Sequence, residues 1–206
     1  MPAEPESNGV DLRRLILDET RHLLVAEGYN SLSMRRIAKK IGYSATAIYL
    51  HFDSKDALVH TLIDEGMGRL YDRLKDLKPE QGDPAEALHK GCMAYVRFGL
   101  DNPEYYEIMH LLHPERMERY PAEKFRRARR SLEMIGQILE RGVKAGTFTV
   151  ESATVASTAI WAMLHGVVSL IISRRVDVRI DQEELIQTLV GQVVTSVTLK
   201  PVRVRV

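Results

Sequence analysis

Hydrophobic residues along this chain recur mostly three or four positions apart, as in helices, and no segment shows the alternation typical of strands flanked by hairpin turns. The N-terminal part begins with three such segments, each bounded by residues that cap or end helices. The first runs from about Asp11 to Glu27, and Gly28 ends it. The second follows Ser33 and ends at Gly42, and a short third helix follows Ser44.

A fourth helix opens at Ser54, and its apolar residues continue toward Pro79. Five further helices are predicted, over Asp83 to about Asp101, Asn102 to about His113, Pro121 to about Ala145, Ser152 to Arg174, and Asp181 to about Val197. The last is rich in valine and threonine, so a strand is the alternative there. The pattern predicts an all-α fold of about nine helices, in which short N-terminal helices precede a bundle of longer ones.

The composition, 45% apolar and 28% charged, is typical of a soluble globular protein with a substantial core. The net charge is only +1, so binding to nucleic acid would require locally concentrated positive charge. The single cysteine, Cys92, excludes an intramolecular disulfide and suits a cytoplasmic location. The polar N-terminus, which has neither a basic start nor an apolar stretch, is not that of a signal peptide.

One segment, residues 153–173, has no charged residue and is long enough to span a membrane. It contains polar residues, among them Ser157, Thr158 and His165, and no second segment of this kind exists. A helix that is apolar on all sides is buried either in protein or in lipid. We expect a buried helix at a subunit interface and no membrane partner.

Positive charge is concentrated around the turn formed by residues 42–44, which joins the second and third helices. The cations there are Arg35, Arg36, Lys39, Lys40 and Lys55. Two short helices joined in this way form a helix-turn-helix, whose second helix enters the major groove of DNA. Arg35 and Arg36 fall in the first turn of their helix, where a cation opposes the helix dipole unless an anion such as a phosphate binds. A solvated basic face is the alternative.

The third helix carries side chains suited to DNA. Tyr49 and His51 have groups that bind phosphate oxygens. Ala45 and Thr46 are small enough to let the helix approach the edges of the bases. The alternative for Tyr49 is that it packs against the first helix.

The stretch from Ser33 to Leu58 resembles the DNA-binding signature of the TetR family of transcription regulators. The matching features are Ile37-Ala38, the turn glycine Gly42, Ile48-Tyr49-x-His51-Phe52 and Ser54-Lys55-x-Ala57-Leu58. At the level of motifs the resemblance covers about Asp11 to Leu70. It implies an N-terminal DNA-binding domain, a C-terminal regulatory and dimerising domain, and repression that a small-molecule ligand releases.

In that family the position of Arg35 and the start of the recognition helix read bases, whereas the positions of Tyr49, His51 and Lys55 hold phosphates. The predicted DNA-binding residues are Ser33, Arg35, Arg36, Ser44, Ala45, Thr46, Tyr49, His51 and Lys55. The chain departs from the family at Ala47, where many members have threonine, and Ala45 offers no polar group to a base. Base readout is therefore expected to depend on Arg35, Thr46 and Tyr49.

In the C-terminal half, Trp161-x-x-x-His165-Gly166 resembles the Trp-His-Gly signature of one subgroup of the family, as does the stretch from Asn102 to Tyr106. The predicted ligand-binding residues are Tyr95, Phe98, Tyr105, Tyr106, Met109, Met134, Trp161 and His165. The alternative is that these residues are simply core. Small residues such as Ala159 and Gly166 allow close helix approach, which predicts a homodimer through the last two long helices, matching a palindromic operator.

We expect residues 1–9 to be disordered, 10–56 to form the helix-turn-helix domain, 57–200 to form the ligand-binding and dimerisation domain, and 201–206 to form a tail. No cofactor and no enzyme motif is expected, since the chain has neither a glycine-rich phosphate loop nor a serine nucleophile motif. Two alternatives stay open. One is a helical enzyme that uses His165 or the pair His110 and His113, and the other is an interaction module with a non-functional helix-turn-helix.

Overall fold

The computed structural model describes residues 11–110, 121, 124 and 129–198. Within these ranges the regular structure consists of nine α-helices and one 3-10 turn, in agreement with the predicted all-α fold. The residues predicted to be disordered at the N-terminus, the tail at 201–206 and the predicted end of the sixth helix near His113 lie outside the described residues.

The helices are α1 (Leu12–Glu27), α2 (Met34–Ile41), α3 (Ala45–Tyr49), α4 (Lys55–Lys75), α5 (Pro84–Asp101), α6 (Pro103–His110), α7 (Arg130–Lys144), α8 (Ala153–Ile172) and α9 (Gln182–Thr198). The 3-10 turn, Tyr29–Ser31, follows α1. Because α9 is a helix, the strand alternative for that segment is wrong.

Six helices begin at capping side chains that the sequence pattern indicates. The capping residues are Ser33, Ser44, Ser54, Asp83, Ser152 and Asp181. Each accepts a hydrogen bond from the backbone N–H three residues further on, at between 2.8 Å and 3.3 Å. Such a cap satisfies an N–H that has no partner within the helix and contributes about 1 kcal/mol.

The chain divides into two compact units, of which the first contains residues 11–66 and 104–110 of the described chain. Its core is formed by fully buried side chains on successive helices, among them Ile16 on α1, Ile37 on α2, Ile48 on α3 and Leu62 on α4. The two helices of the helix-turn-helix are thus held by apolar side chains on α1 and α4. The predicted domain boundary at residue 56 stays a prediction.

The second unit contains residues 67–103 together with the described residues beyond 120. Its core is formed by α5, α7, α8 and α9, which bury Leu88, Leu139, Val168 and Val190 among others. The guanidinium of Arg141 on α7 donates to main-chain carbonyls in the connection between α4 and α5, to Pro79 at 2.9 Å and to Gly82 at 2.5 Å.

Cys92 on α5 is fully buried in this second unit. Burial disfavours the thiolate and raises the pKa of the thiol to about 12. The thiol is therefore protonated at neutral pH and is not poised as a nucleophile.

By length and composition, α8 is apolar enough to cross a membrane, and it is the one described helix that is. In the described part of the chain, α8 buries one side, on which Ile160, Leu164 and Val168 lie. The opposite side is apolar and exposed, with Val155, Ala159, Ala162, Met163 and Leu170 along it.

Candidate DNA interface

The turn between α2 and α3 fixes the geometry of the helix-turn-helix. Gly42 ends α2 with a φ of +76°, in the left-handed region that a side chain would disfavour. The N–H of Tyr43 then reaches back to the carbonyl of Ala38 at 3.0 Å, which closes the end of α2. Ser44 leaves the turn in an extended conformation and caps α3.

α3 is anchored on one side and open on the other. Ile48 is fully buried and Phe52 is nearly so, and these two side chains fix the helix on the core of the first unit. Thr46, Tyr49 and His51 are exposed. With 53% of its surface accessible, Tyr49 is not buried in the core and is open to a partner.

The basic residues of α2 differ in their surroundings. Among the described residues, Arg35, Lys39 and Lys40 are exposed and have no ion pair. Arg36 forms an ion pair with Glu27 at the end of α1. Arg36 thus has a carboxylate partner before any DNA binds, although its predicted role in DNA binding stays a prediction.

Lys55, at the start of α4, is held by the 3-10 turn. Its ammonium lies 3.9 Å from the centre of the Tyr29 ring and 3.4 Å from the Tyr29 carbonyl oxygen. The hydroxyl of Tyr29 donates to the carboxylate of Asp56. Burial and this hydrogen bond raise the pKa of the Tyr29 phenol well above its usual value, so the hydroxyl remains a donor.

Sequence reasoning missed Tyr29. Its aromatic ring and carbonyl restrict the ammonium of Lys55, a predicted phosphate ligand, to one region. The available signal was an aromatic residue directly after the glycine that ends α1. Its partner at residue 55 could be found only from tertiary structure.

Five of the eight predicted ligand-binding residues lie in the second unit: Tyr95, Phe98, Met134, Trp161 and His165. Trp161 donates from Nε1 to the Tyr95 hydroxyl at 3.0 Å, and its ring stacks on that of His165 with centroids 5.4 Å apart. Nε2 of His165 lies 3.4 Å from the hydroxyl oxygen of Ser169. Burial lowers the pKa of His165, which favours the neutral imidazole.

The other three, Tyr105, Tyr106 and Met109, are buried on α6 in the first unit. Within that unit α6 lies close to α4, since a Cβ added at Gly66 would come 2.4 Å from the sulfur of Met109. The ligand-binding role of all eight residues stays a prediction.

A separate groove of about 290 Å³ lies within the second unit. Its lining residues are Arg129, Leu132, Glu133, Gly136, Gln137 and Glu140 of α7 and the turn before it, with Ala153, Thr154 and Ser157 of α8. None of the predicted ligand-binding residues is among them. Within the described residues, no three metal-ligating side chains of His, Cys, Asp or Glu lie together, and His113 lies outside that part of the chain.

A helix-turn-helix with an exposed basic surface, followed by a helical bundle, defines the class of all-helical DNA-binding regulators. Residues 16–62 match the family of bacterial regulatory proteins called tetR. Residues 88–193, more than half of the chain, match the tetracyclin repressor-like C-terminal domain. The chain therefore belongs to the TetR family of transcription regulators, which sets aside the enzyme alternative.

Two relatives of known sequence are named as transcription regulators. The uncharacterized HTH-type transcriptional regulator YobS of Bacillus subtilis is 26% identical over 161 residues, which span 77% of this chain and 78% of that protein. The HTH-type transcriptional repressor Rv1474c of Mycobacterium tuberculosis is 39% identical over 107 residues, 52% of this chain and 50% of the repressor.

Solved structures share the fold over most of their length. The TetR family transcriptional regulator PfmR of Thermus thermophilus has a TM-score of 0.71 and 25% identity, over 87% of this chain and 97% of that one. A tetR-family regulatory protein of Rhodococcus has a TM-score of 0.78 and 20% identity, over 93% of this chain and 100% of its own. At that identity the second likeness shows the fold alone.

Proposed function

We propose that this regulator is a cytoplasmic, dimeric repressor that binds a palindromic operator and leaves it when a small-molecule ligand binds. The observation that carries the proposal is the exposed surface around α3. There Thr46, Tyr49 and His51 point away from the core, and Arg35 on the preceding helix has no ion pair among the described residues.

The proposed division of labour follows the chemistry of each side chain. Arg35 has a planar set of donors that matches the paired acceptors of guanine, and Thr46 offers a methyl group and a hydroxyl to base edges. His51 and Lys55 are suited to phosphate oxygens, which fix the position of the helix without reading sequence. The caps Ser33 and Ser44 lie at the N-termini of α2 and α3, where backbone N–H groups favour phosphate.

Repression is supported by the sequence likeness to Rv1474c, whose name describes a repressor. Dimerisation is supported by the open apolar side of α8, where Ala159 and Ala162 would let a second helix approach closely. Two copies would present two α3 helices about 34 Å apart, one turn of DNA.

Ligand control is proposed for the second unit. The contacting side chains of Tyr95, Trp161, His165 and Ser169 place a few polar groups in the apolar second unit. Small-molecule sites generally combine apolar walls with a few such polar groups. A ligand that favours a different α3 spacing would weaken DNA binding through a coupling of about 1–3 kcal/mol. Membership of the Trp-His-Gly subgroup belongs to the same proposal.

The first experiment is selection of binding sites by the purified protein from random duplex DNA at a fixed moderate salt concentration. Enrichment of a palindrome whose half-sites are about one helical turn apart is the expected result. The variant Thr46→Ala should change the enriched sequence without abolishing binding. Weak, salt-sensitive binding with no enriched sequence would contradict the proposal.

A further inference from the structure

The arginines of the first unit fall into two groups. Arg14 pairs with Asp18 and with Glu65, both at 2.8 Å, and Arg21 pairs with Glu104 at 2.9 Å. Arg13, next to Arg14 on α1, has no ion pair among the described residues and is exposed. Of these two adjacent arginines, Arg14 is neutralised by carboxylates, whereas Arg13 has no ion pair among the described residues.

The guanidinium of Arg13 lies over an aromatic ring. Its central carbon lies 5.0 Å from the centre of the Phe52 ring. Phe52 is buried and directly follows the exposed His51, in the short connection between α3 and α4. An arginine stacked on a ring keeps its in-plane N–H donors available for a second partner.

Among the described residues, no carboxylate forms an ion pair with the guanidinium of Arg13. Asp11 accepts the backbone N–H of Arg13 at 3.0 Å, so it acts as the helix cap. A cation in the first turn of a helix also opposes the helix dipole. An anion bound at the guanidinium of Arg13 would offset this unfavourable interaction with the helix dipole.

We infer that Arg13 is a further DNA-binding residue, which holds a backbone phosphate at the flank of the half-site that α3 reads. The inference rests on the proposed function of the helix-turn-helix. Arginine binds phosphate oxygens through two parallel N–H donors, and the exposed guanidinium of Arg13, near the connection that follows α3, has such a pair. The contact is to the backbone, so it adds affinity without adding sequence preference.

The test compares Arg13→Gln with its matched control Arg14→Gln on two duplexes of about 30 base pairs, one of random sequence and one selected as above. Affinity is measured by fluorescence anisotropy over a series of salt concentrations. Arg13→Gln should weaken binding to both duplexes about tenfold and lower the slope of log affinity against log salt by about 0.9 for each lost phosphate contact. Arg13→Lys keeps the positive charge and should therefore keep most of the slope of log affinity against log salt.

Arg14→Gln should leave the slope unchanged, because that charge is already paired. If Arg14→Gln unfolds, Lys90→Gln, which removes a paired charge from α5, takes its place as control. A slope that Arg13→Gln leaves unchanged overturns this inference, and so does a loss confined to the selected duplex, which would indicate base reading. Failure of the unmodified protein to bind either duplex overturns the proposed function itself.

Discussion

Arg35 and Arg36 are neighbours in α2, but their charges have different surroundings. Arg36 has the carboxylate of Glu27 as a partner, and its guanidinium also lies 3.5 Å from the Ser31 carbonyl oxygen. Arg35 is exposed and, in the described part of the chain, has no ion pair. DNA would therefore gain more from Arg35, since Arg36 must first give up an existing interaction. The sequence alone assigns both to one basic cluster, because the pairing depends on where α1 ends in space.

Tyr29 offers a test of whether the position of Lys55 matters for binding. Tyr29→Phe keeps the ring beside the ammonium and removes only the hydrogen bond to Asp56, whereas Tyr29→Leu also removes the ring. Tyr29→Leu should weaken DNA binding about three- to fivefold, the magnitude of an exposed cation–π contact. Tyr29→Phe should bind within about twofold of the unmodified protein.

The measurement is a double-mutant cycle with Lys55→Met, read by anisotropy on one duplex. If Tyr29→Leu weakens binding equally with and without Lys55, then Tyr29 does not act through the ammonium. Thermal unfolding of each variant separates a binding effect from loss of the fold.

His165 should make the second unit sensitive to mild acid. Burial lowers the pKa of this imidazole below its ordinary value of 6.5, so the folded state binds the proton less tightly than the unfolded state does. The contribution of His165 to stability is thus fully present above about pH 6.5 and is lost as the pH falls below it. His165→Gln should reduce the fall in the free energy of unfolding between about pH 7 and pH 5. Urea denaturation at each pH measures the free energy of unfolding. The control is His51→Gln, which replaces an exposed histidine. Equal pH dependence of stability in the unmodified protein and both variants would contradict the role given to His165.

Local sequence determines the starts of the six helices that have side-chain caps, whereas the helix predicted from Pro121 gives α7, which begins at Arg130 without a side-chain cap. Each of the six caps bonds within its own first turn, so serine or aspartate at the right offset is sufficient to predict it. Helical ends and side-chain partners depend instead on distant residues. The predicted fourth helix continues toward Pro79, but α4 ends at Lys75, and the carbonyl of Pro79 accepts from Arg141, far along the chain.

In the candidate site too, sequence predicts local features but not contacts between distant residues. The signature from Ser33 to Leu58 identifies the recognition helix, because its residues are contiguous. Arg13 and Tyr29 were missed, because their partners Phe52 and Lys55 lie on other elements. The 3-10 turn that carries Tyr29 has no strong signal of its own.

Two glycines of α7 provide a prediction at the scale of one helix. A Cβ at Gly142 would lie 2.0 Å from the ring of Phe148, whereas at Gly136 the nearest atom would be 3.8 Å away. Gly142→Ala should therefore destabilise the protein by about 2–3 kcal/mol through overpacking. Gly136→Ala has room for the methyl group and should stabilise it by up to about 1 kcal/mol, because alanine favours the helix. Urea denaturation measures the free energy of unfolding of both variants. If both substitutions changed stability in the same direction, the packing of Phe148 against α7 would be contradicted.

For the molecule as a whole, the exposed side of α8 is the feature that most needs an explanation. Val155 is 68% exposed, and Met163 and Leu170 are 40% and 46% exposed. A continuous apolar helix side in water is costly and typical of an interface. In the dimer proposed above, a second copy of the chain would cover it, because a two-fold axis brings the same side of α8 from each protomer together.

Ala159→Glu tests this interface, since it introduces a charge among those apolar residues. The variant should form monomers at concentrations where the unmodified protein is dimeric, and its melting temperature should no longer rise with protein concentration. Gln81→Glu adds the same charge in the exposed connection before α5 and should remain dimeric. Sedimentation velocity over a range of concentrations distinguishes the two; an unaltered dimer with Ala159→Glu would place the interface elsewhere.

Cys92 allows transient openings of the second unit to be measured in the native chain. It is the only thiol in the chain, and its side chain is fully buried on α5. A thiol reagent can therefore modify the folded protein only during transient openings of the second unit. The rate of modification thus reports how often these openings occur. Operator DNA or an effector that changes how often the bundle opens would alter this rate, and the native chain would report it without an engineered label.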